Sequence, residues 1–293
     1  MLGCVRGGRR LRHGDHICWI YGSDEEHREV LTHFLKEGLE GNERVLYLTR
    51  HFTDKRVMDY LRAADVPAED ALRSGQLVFL NAETAYLGEG GFRPERMEQA
   101  FRQAAARAVA DGYRGLRAAS ETEWLMPVFV SPASFVEYEF WVDRVVASLP
   151  QIGLCGYDAR HCNPDWLLAL QAVHPHQIIG PSVLPSPFRV SSGDEGKIVV
   201  EGEVDWDCQE AFRLALAAAA ACAPEQLVVD LAGLRFIDLS GLRTLVELGR
   251  ELNAQGRGVR LRSCPEVARS ILHPSVHLAG GVELALAPRL DLS

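Results

Sequence analysis

The residues best equipped for chemistry come early, in His13-Gly14-Asp15-His16-Ile17-Cys18. If a strand starts here, alternation puts His16 and Cys18 on one face and Asp15 on the other. Imidazole and thiolate suit zinc or a similarly soft metal, and His13 on the preceding loop could supply a third ligand. Two later groups repeat these residue types. One is Cys155-Gly156-Tyr157-Asp158, with Cys155 and Tyr157 sharing a strand face, and the other is His174-Pro175-His176. A structural account competes. A Cys in a buried strand is usually packing, and a His beside an Asp is often a satisfied hydrogen bond. No ligand spacing of the Cys-x-x-Cys kind is present. His16 and Cys18 are the candidate metal ligands, and a metal ion or haem is the cofactor such a set would take.

A second constellation is Phe236-Ile237-Asp238-Leu239-Ser240-Gly241-Leu242. The apolar run Leu227–Leu231 reads as a buried strand, leading through a short turn into Asp238. An amphipathic helix then carries Leu242, Leu245, Val246 and Leu248. Asp238 sits where an N-cap belongs, its carboxylate available to the orphan N–H groups of the first turn. The helix dipole favours negative charge there, so a phosphorylated hydroxyl or a partner's acidic group would also be held.

Alternating elements must position these residues. Strands are expected at His16–Tyr21, Val45–Thr49, Leu77–Leu80, Gly115–Ala119, Gln151–Tyr157 and Gln177–Ile179. Helices are expected from Ser23 to Gly41, Thr53 to Ala64, Pro94 to Ala110, Ser131 to Ser148 and Asn163 to Val173. The Ser23-x-x-Glu26 pattern is a capping box. Strands joined through helices of ten or more residues need crossovers, so the first half is a parallel α/β sheet with flanking helices. Pro181, Pro185 and Pro187 mark residues 181–187 as a semi-rigid linker. The second half runs strand (Phe188–Val190), strand (Lys197–Val200), helix (Asp205–Cys222), strand (Gln226–Leu231), helix (Ser240–Asn253), strand (Val259–Arg262), helix (Pro265–Leu272) and strand (Val282–Leu284). Domains are therefore expected at residues 10–180 and 188–288. In the first, the strands' carboxyl ends present Ser23, Arg50, His51, Glu121, Glu123, Tyr157 and Asp158, where open parallel sheets bind ligands.

The 293 residues suffice for two cores. A net charge of -9 argues against a nucleic-acid partner, since Arg6, Arg9, Arg10 and Arg12 are too few to make a basic face. No apolar run approaches the ~20 residues of a spanning helix, so no membrane partner is expected. Seven cysteines without paired spacing (Cys4, Cys18, Cys155, Cys162, Cys208, Cys222, Cys264) suit a reducing, cytoplasmic compartment.

Resemblance adds to this reading. HGDHICWIY, GNERVLYLT, YRGLRAASETEW, YEFWV, LCGYDARH and VHPHQIIG, in that order over residues 10–180, resemble the MEDS sensory domain. That resemblance implies a non-catalytic sensor of simple hydrocarbon derivatives. Its suspected ligand contacts map to His13, His16 and Cys18, with Cys155, Tyr157 and His174 from the later motifs; Asp158 adjoins them. The opening strand, turn and helix also look like a RecA/KaiC-type ATPase core. The phosphate-loop position carries Asp24, Glu25 and Glu26, which would repel a triphosphate, and no Lys, so no functional nucleotide site is expected.

The stretch at Asp238, with Gly202-Glu203-Val204-Asp205 upstream and two strands before the first helix, resembles the STAS domain of anti-sigma factor antagonists. In that family the hydroxyl directly after the motif's Asp is phosphorylated by a kinase that is also the anti-sigma factor. Here that position is Leu239. Ser240 follows, turned about 100° further round the helix, and is the remaining candidate for phosphorylation. Asp205, Asp238 and Ser240 are the candidate partner contacts. The resemblances imply a signalling protein, not an enzyme, in which a ligand sensor controls docking to an anti-sigma or serine-kinase-type partner. The alternative is a metal- or haem-assisted hydrolase using STAS as an interaction module, which lacks a Gly-x-Ser-x-Gly nucleophile motif.

Overall fold

In the computed structural model the described residues are 10–51, 53–88, 91–181, 183–193, 196–223, 226–266, 268 and 282–284. Contacts divide the chain into two compact units. One contains the chain up to Val130, Trp141–Asn163 and His174–Leu184, and the other contains Ser131–Phe140, Pro164–Val173 and the chain from Pro185 onward.

The elements before the linker are β1 (His16–Tyr21), α1 (Asp24–Glu40), β2 (Arg44–Thr49), α2 (Asp54–Ala63), α3 (Ala68–Ser74), β3 (Leu77–Asn81), α4 (Ala82–Leu87), α5 (Pro94–Ala110), β4 (Leu116–Glu121), α6 (Pro132–Ala147), β5 (Gln151–Asp158), α7 (Pro164–Val173) and β6 (His176–Ile179). A single six-stranded sheet is formed in the order β3-β2-β4-β5-β1-β6, with every pairing parallel. β1 lies between β5 and β6 and is buried along its whole length. Ile17, Trp19 and Tyr21 join a core with Leu31, Phe34 and Leu35 of α1, which leaves His16, Cys18 and Ile20 on the opposite face. α1 begins where expected, because Ser23 Oγ accepts from the Glu26 N–H at 3.1 Å, and it stops at Gly41.

After the linker come β7 (Phe188–Ser192), β8 (Ile198–Val204), α8 (Gln209–Ala221), β9 (Gln226–Ile237), α9 (Leu239–Ala254), β10 (Gly258–Arg262) and β11 (Val282–Leu284). They form a mixed sheet in the order β11-β10-β9-β8-β7, antiparallel only between β7 and β8. Phe188 and Phe212 meet edge to face at 5.4 Å, and α9 buries Leu242, Leu245, Leu248 and Leu252. Each such side chain contributes roughly 1.5–3 kcal/mol by leaving water.

Four strands run at least two residues past their expected ends, β7 among them, reaching Ser192. β9 continues to Ile237 with no turn before Asp238, because Phe236 and Ile237 pair with Glu203 and Val204 across register shifts. β8 likewise reaches Val204. β4 extends to Glu121, held by the pairing of Ser120 and Glu121 with Cys155 and Gly156 of β5. α3, α4 and a 3-10 helix over Glu123–Val128 were not anticipated, since elements this short carry too few turns for a periodic signal. The helix expected over 265–272 falls largely outside the described residues, as do Arg6, Arg9 and the expected domain end at 288.

Candidate functional site

The first motif is a turn that aims His16 into the interior. Gly14 has φ +95°, open to glycine and strained for other residues, and its N–H donates to Gln151 O at 2.7 Å. Asp15 Oδ2 accepts from the Arg12 N–H at 2.7 Å, and Oδ1 lies 3.2 Å from His176 Nε2. His13 Nε2 lies 2.8 Å from Glu43 Oε1, while Arg117 Nε donates to Glu43 Oε2 at 2.5 Å. Glu43 and Arg117 are both buried.

His16 meets Cys155 and His174. In register, Cys18 lies beside Cys155 and His16 beside Gly153, which puts the His16 ring over the thiol: Nε2 and Sγ are 3.2 Å apart. The His174 ring is centred 4.3 Å from that of His16, and Tyr157 meets His174 edge-on at 6.2 Å. One nitrogen or sulfur atom from each of His16, Cys155 and His174 lies within 4.8 Å of the others. Burial holds the His16 pKa well below its ordinary value, with the His174 and His176 charges acting in the same direction. At neutral pH the cluster thus offers uncharged imidazole nitrogen beside sulfur, a donor set for a zinc-like ion or a small polarisable molecule.

In the second unit, Asp238 caps α9. Oδ1 accepts from the Gly241 N–H at 2.9 Å and from the Ser240 hydroxyl at 2.6 Å. Burial works to raise its pKa, but the donors from Ser240, Gly241 and Trp206 outweigh it and hold the carboxyl low. Asp205 caps the short Trp206–Cys208 helix, accepting from the Asp207 and Cys208 N–H groups. Beside these caps stand three large apolar side chains in water: Trp206 is 72% exposed, Leu239 61% and Phe236 52%.

A family model described as the MEDS (methanogen/methylotroph, DcmR sensory) domain matches residues 15–175, more than half of the chain. The chain belongs to the MEDS family. A second model, of the Mlab-type STAS domain, matches residues 188–279. Among solved structures, the unphosphorylated anti-sigma factor antagonist SpoIIAA aligns at 21% identity over 34% of this chain and 89% of its own, with a TM-score of 0.28. A KaiC-like protein of Pyrococcus horikoshii OT3 aligns at 9% identity over 68% and 84%, TM-score 0.45. The flagellar accessory protein FlaH of Methanocaldococcus jannaschii aligns at 11% over 67% and 80%, TM-score 0.45. Comparison with curated proteins finds no match.

Of the residues singled out in the MEDS segment, His16, Cys155 and His174 converge, with Tyr157 against His174. Cys18 is buried next to Cys155 in register but is not part of the group whose donor atoms could share one ion. His13 is committed to Glu43. Asp158 ends β5 and is gripped by Arg160 at 2.6 and 2.8 Å, which holds its pKa down despite burial. Sequence reasoning missed Asp143 of α6, whose Oδ1 is 3.8 Å from His16 Nδ1; an acid set among Phe140, Trp141, Val142, Val145 and Val146 of the same helix was the available signal. It also missed Trp206, though a Trp directly after a capping Asp is an unusual surface choice. At the phosphate-loop position the chain's own acid occupies the backbone: the Gly22 N–H donates to Glu26 Oε2 at 2.7 Å. Asp24 bridges Arg56 at 2.8 Å and Arg160 at 3.0 Å.

Proposed function

We propose that this is a cytoplasmic, non-enzymatic signalling protein in which a small-ligand sensor governs docking of the STAS domain to an anti-sigma or serine-kinase-type partner in transcription control. The observation that carries the reading is the solvent-facing group Trp206, Phe236 and Leu239 around the capped Asp238. Large exposed side chains gathered at one place mark an interaction surface, and Trp is the residue type most often dominant in such contacts. Leu239 occupies the place where the family has its phosphoacceptor. The Ser240 hydroxyl is already donated to Asp238, and a phosphate there would set its charge against that carboxylate. Control thus passes to the MEDS segment, whose His16, Cys155 and His174 hold the ligand, a simple hydrocarbon derivative or a metal ion. α7 packs on α8 and β7 within the second unit, and the next residue after it is His174. A ligand that draws on His174 therefore acts on the residue that directly follows α7, and it shifts docking to the extent that it prefers one of two arrangements.

The test is isothermal titration of the full chain with an anti-sigma kinase-type protein, with and without hydrocarbon derivatives or Zn²⁺. Trp206→Ala should weaken the complex about 30-fold, from the roughly 2 kcal/mol of a hot-spot residue. His16→Ala should abolish the ligand effect while sparing basal affinity. Equal affinity of wild type and Trp206→Ala would refute the docking face.

A further inference from the structure

The carboxyl ends of the parallel strands hold a second group of side chains that the imidazole–thiol cluster does not use. His51 lies two residues past β2, Glu121 ends β4, and Glu123 opens the short helix that follows. One ligand atom from each lies within 4.8 Å of the other two. Glu121 is held in place: Oε1 accepts from the Tyr47 hydroxyl at 2.8 Å and Oε2 from the His51 N–H at 2.6 Å. Trp124 Nε1 donates to the Glu121 carbonyl at 2.9 Å, pinning the turn between the two acids.

Glu123 is different. It is only 7% exposed, yet neither carboxylate oxygen makes a well-formed hydrogen bond among the described residues, the Glu123 and Thr122 N–H groups only partly offsetting its burial. Oε1 lies 3.3 Å from His51 Nε2, whose ring is half exposed and open to solvent. The neighbouring guanidinium groups are directed elsewhere. Arg50 faces Glu83 at 3.9 Å and the Trp124 ring, and Arg160 binds Asp158 and Asp24. A carboxylate taken out of water with vacant acceptor sites is costly and calls for a partner.

The geometry points to a divalent first-row cation site made by His51, Glu121 and Glu123, separate from the His16–Cys155–His174 cluster. Two carboxylates balance the charge of such an ion, and imidazole with carboxylate oxygen suits manganese, iron, cobalt or zinc. Three protein ligands leave at least one coordination position for water or a ligand oxygen.

Cobalt(II) added to the chelator-treated full chain distinguishes this site from the thiol cluster. Nitrogen and oxygen ligands give visible d–d bands alone, whereas a thiolate ligand adds a near-ultraviolet charge-transfer band. The Cys155→Ser chain should still bind one ion showing d–d bands only. Glu123→Gln, which preserves side-chain volume, should weaken that ion by at least about tenfold with unchanged circular dichroism, and His51→Ala should do the same. Glu123→Gln binding cobalt as tightly as wild type overturns the inference. So does an ion that always carries the charge-transfer band, or no ion at all. The thiol-cluster reading stands or falls separately, on the band that Cys155→Ser removes.

Discussion

His27 provides a quantitative test of how the first unit is packed. It lies on the inner face of α1, fully buried, with its ring 4.9 Å from those of Trp19 and Tyr21 and Nε2 3.3 Å from the Tyr47 hydroxyl. Burial among these rings disfavours imidazolium, and the Arg56 charge adds to the effect, so the pKa falls from 6.5 to about 3. The Asp24 and Asp158 charges act the other way and only partly offset it. The unfolded chain takes up a proton at His27 below pH 6.5, whereas the folded chain resists it until about pH 3. The stability His27 contributes is therefore whole above pH 6.5 and is lost progressively as pH falls through that window. Integrating the linkage gives a loss of about 2 kcal/mol by pH 5 and about 4 kcal/mol by pH 3. His27→Gln takes up no proton, and carboxylates common to both chains cancel in the comparison. Urea unfolding of wild type and variant at pH 8 and pH 5, read on the transition of the unit containing α1, isolates the effect. Wild type should lose about 2 kcal/mol more than His27→Gln on acidification. A difference that changes by less than about 0.5 kcal/mol between the two pH values, the ordinary scatter of such comparisons, would show that the packing of Trp19, Tyr21 and Tyr47 around His27 admits water or charge.

Two further outcomes follow from the same contacts. Glu43→Gln leaves the buried Arg117 guanidinium with Glu37 at 3.4 Å as its remaining carboxylate partner, so stability should drop by roughly 3–5 kcal/mol, measured by urea unfolding, with ligand or metal occupancy at His16 unaltered; a loss below about 1 kcal/mol, the range of an exposed pair, would mean the pair is hydrated. Leu239→Ser places a hydroxyl at the exposed first position of α9, and incubation with a kinase-type partner and ATP should add one phosphate to the variant and none to wild type by intact mass. Phosphate found on wild-type Ser240 would sink that account.

The alternation of strands and long helices was legible in the sequence because it rests on local signals. Ser23, Asp238 and Gly41 announce helix ends through short-range hydrogen bonds, and apolar periodicity gives the helices and their inner faces. Asp238 was placed correctly as a cap for the same reason. The chemistry of the opening motif was only partly legible. Its four polar residues look alike in sequence, yet three of them, His13, Asp15 and Cys18, are spent on Glu43, on Arg12 with His176, and on packing beside Cys155. Which histidine meets which thiol depends on the register of β1 against β5, a pairing between residues 139 positions apart. The same holds at the other end of the sheet, where His51, Glu121 and Glu123 come from two strands made neighbours by the crossovers. Local sequence thus determined the elements, their caps and the missing hydroxyl at Leu239. Strand order and register decided which side chains share a site, because those pairings are fixed by burying the sheet's faces as a whole and not by any one stretch of chain.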